Sequence, residues 1–363
     1  MNSLFPSRTV AAYMARLLVT RTFGILALLV IVLQALDLLT ESAKIVAVPG
    51  NGQEAVLTYV GLRLPQLIAR FLPFAVLLGT ILTLLQMNQN SEVIALKAAG
   101  LSAHQVLSPL LVASLAIAAM QFVFTDRVVA PGTATLDRWQ KVDYARLPPD
   151  RGDRANVWVR DGDDLIQVDR VAGRGAAARL GGVTLYDRTG GNLIAIIRAP
   201  AGRRVNGGWA IAPATRFDVA SGAVTRLGEL TVARGVRPDQ FTLGTIDADG
   251  LSFGALRAAI GDLGDAGRPT KALEGTLWHK LSGPLSSVLM PLLGAVAAFG
   301  LARSGQLFVR AVIGMALGFT YFVADNFALA MGNLGAYPPF LAAWAPFLLF
   351  FLIGEAVLIR TEE

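Results

Sequence analysis

Six apolar stretches, each long enough to cross a bilayer as a helix, restrict this chain to the folds of integral membrane proteins. The hydrocarbon core of a membrane requires about 20 apolar residues of helix. The mean hydropathy is +0.54, and only 16% of the 363 residues are charged. The predicted spans are 17–36, 64–87, 106–128, 277–300, 307–331 and 337–359.

One polar segment interrupts the apolar chain, because 40 of the 58 charged residues lie within 126–280. Short β-branched or aromatic runs separated by glycine-bearing turns predict strands there, at 157–159, 165–168, 183–186, 193–197, 209–211 and 230–232. Strands at this spacing favour a sandwich, a jellyroll or a barrel. Ser252 can cap a connecting helix over about 252–263.

The predicted fold class is therefore an α-helical integral membrane protein with six transmembrane helices, three on each side of an inserted all-β, jellyroll-like domain. We place helices 1–3 in residues 1–128, the β-domain in 129–270 and helices 4–6 in 271–363.

Lysine and arginine in the short loops predict the orientation. One side carries Arg8, Arg16, Lys97, Arg303, Arg310 and Arg360, and the other carries only Lys44 and Arg63. This bias predicts that both termini are cytoplasmic and that the β-domain is extracytoplasmic, which means periplasmic in a cell with two membranes.

The sequence lacks the residues that several kinds of metal-binding and catalytic site require. The chain has no cysteine and only two histidines, His104 and His279, so we expect no metal site. It has no phosphate-binding loop, no nucleophile elbow and no His-Glu-x-x-His motif, so we expect no catalytic residue and no cofactor. No dense basic run suggests nucleic acid.

The segment between helices two and three predicts a short helix outside the membrane. Asn90 or Ser91 can cap a helix over about 91–100, and Gly100 can end it. Such a helix either docks into a cytoplasmic motor subunit or lies in the membrane interface, and its spacing favours neither. The predicted contact residues are Glu92, Val93, Ile94, Leu96, Lys97 and Gly100.

Basic residues collect at the opposite ends of the predicted helices. Each one alone is explained by snorkelling toward lipid headgroups, but a convergent ring could hold the phosphates of an amphiphile. The predicted binding residues are Lys44, Arg63, Arg70, Phe71, Arg138 and Lys141. Asp325 is an acid inside an apolar run, and such an acid is a functional candidate by default. Its place near the outer end of the span favours an interfacial or inter-subunit polar contact instead, where Asn326 and water could satisfy it.

Four segments carry a family resemblance. The helix pair at the N-terminus, the run 90–100, Val129-Ala130-Pro131, and Trp278-His279-Lys280-Leu281 followed by Pro284-Leu285 all resemble the LptF/LptG family of lipopolysaccharide export permeases. The resemblance covers the whole chain in order. It is nearer to the LptG branch, through Asp37 and the run 91–100, although Thr40 and Glu41 stand where that branch can carry a basic pair.

The resemblance implies a function and its partners. Family members pair as an LptF–LptG heterodimer on a dimer of the ATPase LptB, and they take lipopolysaccharide from the outer leaflet of the inner membrane. They pass it through jellyroll domains toward LptC and LptA. The run 92–100 would then be the coupling helix on LptB, and Arg138 and Lys141 would match basic positions of the family.

Three hypotheses follow for a chain of this kind. The first is the transport subunit, bound for the bacterial inner membrane and without enzymatic activity of its own. The second is a membrane-anchored structural or sensor protein whose β-domain binds a partner. The third is a lipid-modifying membrane enzyme that uses Asp325 or His279.

Overall fold

The computed structural model describes residues 7–146, 154–172, 178–205, 207–236, 247–265, 269–299 and 307–360. Its contacts divide the chain into a helical unit, formed by residues up to 147, 247–258 and from 270 onward, and a β unit, formed by 148–246 and 259–269. Gly300, the predicted end of the fourth span, and Arg303, which entered the orientation count, lie outside the described residues.

Helices occupy all six predicted spans. In chain order the helices are α1 Arg8–Ala47, α2 Gln53–Gln89, α3 Glu92–Ala98, α4 Ala103–Phe124, α5 Ala130–Gln140, α6 Phe253–Asp265, α7 Lys271–Phe299, α8 Leu307–Asn333 and α9 Pro339–Arg360. Within the described ranges, five helical stretches are long and apolar enough to span a membrane: α1, α2, Ala103–Gln140, Val312–Asn333 and α9. The predicted class, a helical membrane protein with a β insert, is confirmed.

Helix α7 lies at the centre of the helical unit, where it packs against α2, α4, α8 and α9. Ser282, Ser286 and Ser287 are buried in these contacts. Small hydroxyl residues allow helices to approach closely and to exchange hydrogen bonds, which suits a helix surrounded by other helices better than one that faces lipid.

The third predicted span continues past its expected end at residue 128. A π-helical turn, Thr125–Val129, joins α4 to α5, so the helix runs on to Gln140. Pro131 lies in the first turn of α5, where the missing N–H of proline is tolerated.

Among the described residues, two apolar clusters hold the helical unit together. The larger one joins α1, α2, α3, α4, α7, α8 and α9. The smaller one contains Ile45, Tyr59, Leu136 and Tyr144 and defines what we call the insert end of the unit. The opposite end, where α3 lies, is called the α3 end.

The described residues of the β unit form one antiparallel sheet of eight strands. The path β1–β2–β3–β4–β5–β8 runs through neighbouring strands, and β6 pairs with both β4 and β7. The strands are β1 Arg154–Asp161, β2 Asp164–Ala172, β3 Arg179–Thr189, β4 Asn192–Val205, β5 Gly208–Ala212, β6 Ala214–Asp218, β7 Val224–Leu227 and β8 Leu230–Val232.

All six predicted strands form, within β1 to β5 and β8, whereas β6 and β7 were not expected. Strand β4 is long enough to pair with β5 through Ala201–Val205 and with β6 through Ala195–Arg198. The second pairing recruits β6, whose alternating polar residues carry little apolar signal. The core of the sheet is centred on the fully buried Trp209, whose indole Nε1–H donates to the Val236 carbonyl at 3.1 Å.

Candidate functional site

Helix α3 is a two-turn helix with a well-formed C-terminus. The Gly100 N–H donates to the Lys97 carbonyl at 2.9 Å, and the Leu101 N–H donates to the Leu96 carbonyl at 3.2 Å. These two bonds form a Schellman motif, which requires a left-handed residue, and Gly100 has φ +85°. Glycine adopts this conformation without the steric penalty of a Cβ.

The N-terminus of α3 differs from the expectation that a side chain of Asn90 or Ser91 caps it. Ser91 has φ +59° and its hydroxyl makes no capping bond, because capping needs an extended backbone at that position. Asn90 donates instead to Glu92 Oε1 at 3.1 Å. The Tyr13 hydroxyl of α1 donates to the same oxygen at 3.3 Å.

The two faces of α3 have different environments. Val93 is 3% exposed and packs into the large apolar cluster with Leu96. Ile94 is 64% exposed, and Lys97 and Gly100 are exposed as well. One face therefore anchors the helix on the bundle, and the other presents an apolar side chain and a cation.

A second contact at the α3 end joins the two halves of the helical unit. His104 Nε2, at the start of α4, lies 3.1 Å from Glu355 Oε2 near the end of α9. The two residues are 251 positions apart, so only the tertiary fold brings them together.

A cavity of about 460 Å³ opens at the other end, among α2, the π turn, α7 and α8. Its ionisable lining residues are Arg70, Asp249, His279, Lys280 and Asp325. Its larger apolar lining residues include Pro73, Phe74, Met290, Phe322 and Leu329. The volume lies in the range typical of small-ligand sites, roughly 300–1,000 Å³.

Gln121 of α4 connects three helices beside this cavity. Its Nε2 donates to the Ala69 carbonyl of α2 at 2.9 Å, and its Oε1 accepts from the Ser287 hydroxyl of α7 at 2.9 Å. Gln121 is 5% exposed, so both bonds lie in the interior of the unit. Residue patterns singled out neither Gln121 nor Ser287, because each is one ordinary polar residue within an apolar run.

Asp325 contacts a histidine rather than the residue that we expected. Its Oδ2 lies 3.8 Å from His279 Nε2, and the residue is 8% exposed. The Asn326 amide is exposed and donates to the Phe322 carbonyl of its own helix at 2.8 Å. The expected Asn326 contact was wrong because successive residues of a helix point about 100° apart.

Two of the predicted cations form ion pairs at the insert end. Lys44 Nζ lies 2.7 Å from Glu41 Oε1, and an Arg63 guanidinium nitrogen lies 3.3 Å from Asp37 Oδ1. The Tyr59 hydroxyl donates to the second oxygen of Asp37 at 2.5 Å.

Tyr144 completes this network, since its hydroxyl donates to Glu41 Oε2 at 2.6 Å. Partial burial, together with this hydrogen bond, raises the pKa of Tyr144 to about 12. The hydroxyl therefore remains a donor at neutral pH.

The other predicted binding residues lie in two further places. Arg70 lines the cavity, and Phe71 beside it packs against Phe74 with a ring-centroid distance of 6.5 Å. Arg138 and Lys141 are exposed on and just after α5, and Arg138 Nε donates to the Ala134 carbonyl at 3.0 Å. The six residues thus lie at three places along the insert end.

Comparisons with known proteins agree with this architecture. The family model described as "Lipopolysaccharide export system permease LptF/LptG" matches residues 12–360. The lipopolysaccharide export system permease protein LptG of Escherichia coli (strain K12) is 25% identical over 310 residues, which are 83% of this chain and 84% of that protein. LptG of Haemophilus influenzae is 23% identical over 311 residues, 84% of this chain and 86% of that protein. With nearly the whole chain matched, and with apolar helices on both sides of an antiparallel β insert, this protein belongs to the LptF/LptG family of lipopolysaccharide export permeases.

Proposed function

We propose that this chain is a transmembrane subunit of an ABC-type exporter that extracts lipopolysaccharide from the outer leaflet of the bacterial inner membrane. Its relatives are named as permeases of a lipopolysaccharide export system, which favours transport over the sensor and enzyme hypotheses. The energy comes from a separate ATPase, because the sequence contains no phosphate-binding loop. Both termini are cytoplasmic and the β unit is periplasmic in this proposal, as the loop charges indicate.

The observation that carries the coupling step is the two-sided environment of α3. Buried Val93 holds the helix to the bundle, while Ile94 projects an apolar side chain away from it. A short helix that exposes a large apolar residue beside two alanines and a lysine matches helix-in-groove recognition. We assign the partner of this surface as a dimer of an LptB-like ATPase.

The lipid path is proposed to run along the insert end. Arg138 and Lys141 offer cations to the phosphates of lipopolysaccharide, and Arg70 and Phe71 lie further along α2. Lys44 and Arg63 belong to the same proposed site, and each would exchange a carboxylate partner for phosphate when the lipid binds. Guanidinium groups suit this role because they bind phosphate oxygens in pairs.

The remaining partners follow from the family. We propose a paralogous LptF-like permease as the second half of the transporter, with an LptC-like bitopic protein beside it. An LptA-like bridge then receives lipopolysaccharide from the β unit by adding a strand to an edge of the sheet that the described residues form.

One experiment with two arms tests this function in a reconstituted complex of both permeases and the ATPase. In the first arm, Ile94→Asp puts a charge on the exposed face of α3. We expect the ATPase to dissociate from the complex during purification and lipopolysaccharide release to stop. In the second arm, Arg138→Ala combined with Lys141→Ala should retain the ATPase but lower crosslinking to lipopolysaccharide roughly tenfold, the loss of about two phosphate contacts.

Matched controls separate these effects from misfolding. Val224→Asp places the same charge at an exposed aliphatic position of β7 and should leave ATPase binding unchanged. Arg8→Ala with Arg360→Ala removes two exposed cations from the α3 end and should leave lipopolysaccharide crosslinking unchanged. If Ile94→Asp retains a coupled ATPase, the proposed role of α3 is wrong.

A further inference from the structure

The cavity at the insert end contains charges of both signs beside an apolar wall. Lys280 and His279 of α7 line it together with Asp325 of α8 and Asp249. Two carboxylates make it a poor site for a simple anion, and its cations make it a poor site for a metal ion. The charge pattern fits a ligand that carries both an anionic and a cationic group.

Asp325 supplies the sharpest constraint on that ligand. Within the described ranges its Oδ1 is buried and has no hydrogen-bond partner, and its Oδ2 is 3.8 Å from His279, beyond hydrogen-bonding distance. The Gln66 amide nitrogen on the same cavity is likewise buried, and no described residue accepts a hydrogen bond from it. A carboxylate buried in this way favours a ligand that brings N–H donors.

The rest of the lining fits an amphiphile. Lys280 is a half-buried ammonium on the same wall and can receive a phosphate. Phe74, Met290 and Phe322 provide the apolar surface on which the first carbons of an acyl chain can lie. The volume of about 460 Å³ accommodates a headgroup and the start of the chains rather than an entire glycolipid.

We propose that this cavity binds the phosphoethanolamine headgroup of a phospholipid. The ammonium of the headgroup donates to Asp325, and its phosphate contacts Lys280. The site belongs to a single chain, so it does not depend on the partner subunits, and of the residues proposed for the lipopolysaccharide path only Arg70 lines it. A bound phospholipid would fill the space between the two three-helix halves and hold α7 against α8.

The test is native mass spectrometry of the delipidated full-length chain in detergent, titrated with phosphatidylethanolamine or phosphatidylglycerol. The wild type should bind phosphatidylethanolamine about tenfold more tightly, which corresponds to one charge-assisted hydrogen bond. Asp325→Asn should abolish this preference. Lys280→Met should weaken binding of both lipids, since both carry the phosphate.

The matched control is Glu355→Gln, which neutralises the acid of the other histidine–carboxylate pair, at the α3 end. Glu355→Gln should keep the full preference for phosphatidylethanolamine over phosphatidylglycerol. Phosphatidylcholine gives a readout that needs no variant, because its ammonium has no N–H to donate, and the wild type should bind it several-fold more weakly than phosphatidylethanolamine. Equal binding of the three lipids by the wild type, or a preference that survives in Asp325→Asn, would overturn the proposal.

Soluble competitors distinguish the source of the headgroup. Glycerophosphoethanolamine should displace the lipid only at much higher concentration, because it lacks the acyl chains that contact the apolar wall. Displacement by inorganic phosphate alone would indicate an anion site and overturn the proposal. Failure of lipopolysaccharide release with an intact lipid preference would contradict the proposed transport function and leave this site standing.

Discussion

Single polar residues inside the helical unit donate hydrogen bonds to backbone carbonyls that prolines leave without a helical partner. Pro73 has no N–H, so the carbonyl of Ala69, four residues earlier, loses its helical partner and accepts from Gln121 instead. Pro109 does the same to the Gln105 carbonyl, which accepts from the Ser108 hydroxyl at 3.0 Å. In an apolar environment such carbonyls need a partner from within the protein.

We therefore expect Gln121→Leu to destabilise the helical unit by about 1–2 kcal/mol, the value of two interior hydrogen bonds. In a Pro73→Ala background the loss should be about half as large, because an N–H at residue 73 again serves Ala69. Unfolding in a dodecyl sulfate titration measures both effects. Asn326→Leu, which removes an exposed amide, is the control, and an equal loss there would contradict the argument.

At the scale of elements, glycines decide how closely the helices pack. A Cβ at Gly79 of α2 would lie 2.6 Å from the Thr22 hydroxyl and 3.1 Å from the backbone nitrogen of the same residue in α1. A side chain can rotate away, but a backbone atom moves only with its helix. The α1–α2 hairpin therefore depends on the absence of a side chain at residue 79.

Gly79→Val should force these two helices apart and lower the stability by about 1–3 kcal/mol, the usual cost of overpacking. Circular dichroism measures this loss of stability by following helix content on heating. A Cβ at Gly61 in the same helix would meet nothing within 4 Å, so Gly61→Val should change the transition little. Equal shifts for the two variants would show that the low helix propensity of valine, and not close packing at residue 79, causes the loss of stability.

At the scale of the whole molecule, the helical unit and the β unit have separate apolar cores. Damage to one core should therefore leave the other intact. Trp209 is the largest fully buried side chain of the sheet, and Trp158, 51% exposed, offers a residue of the same type on its surface.

We expect Trp209→Ala to cost the β unit about 3–5 kcal/mol, as for other large core residues replaced by alanine. Hydrogen exchange on the full-length chain should then accelerate in β3, β4 and β5 but not in α7. Trp158→Ala should change exchange far less. Acceleration spread equally over strands and helices would mean that the two units unfold as one.

The sequence by itself determined the class of the molecule. Apolar runs of fixed length predict six helices because bilayer thickness sets that length. Short β-branched or aromatic runs between glycine turns predict six of the eight strands that the described residues form. It also located α3 and its end at Gly100, since a left-handed C-cap is a local property.

Only the tertiary structure decided which residues meet. His279 with Asp325, His104 with Glu355, and Gln121 with Ala69 and Ser287 are contacts between helices distant in sequence. It also placed α7 at the centre and divided six predicted binding residues among three places. The rotation of each helix about its axis, and the helices against which it packs, depend on side chains from several segments at once. Local sequence patterns therefore do not predict these contacts.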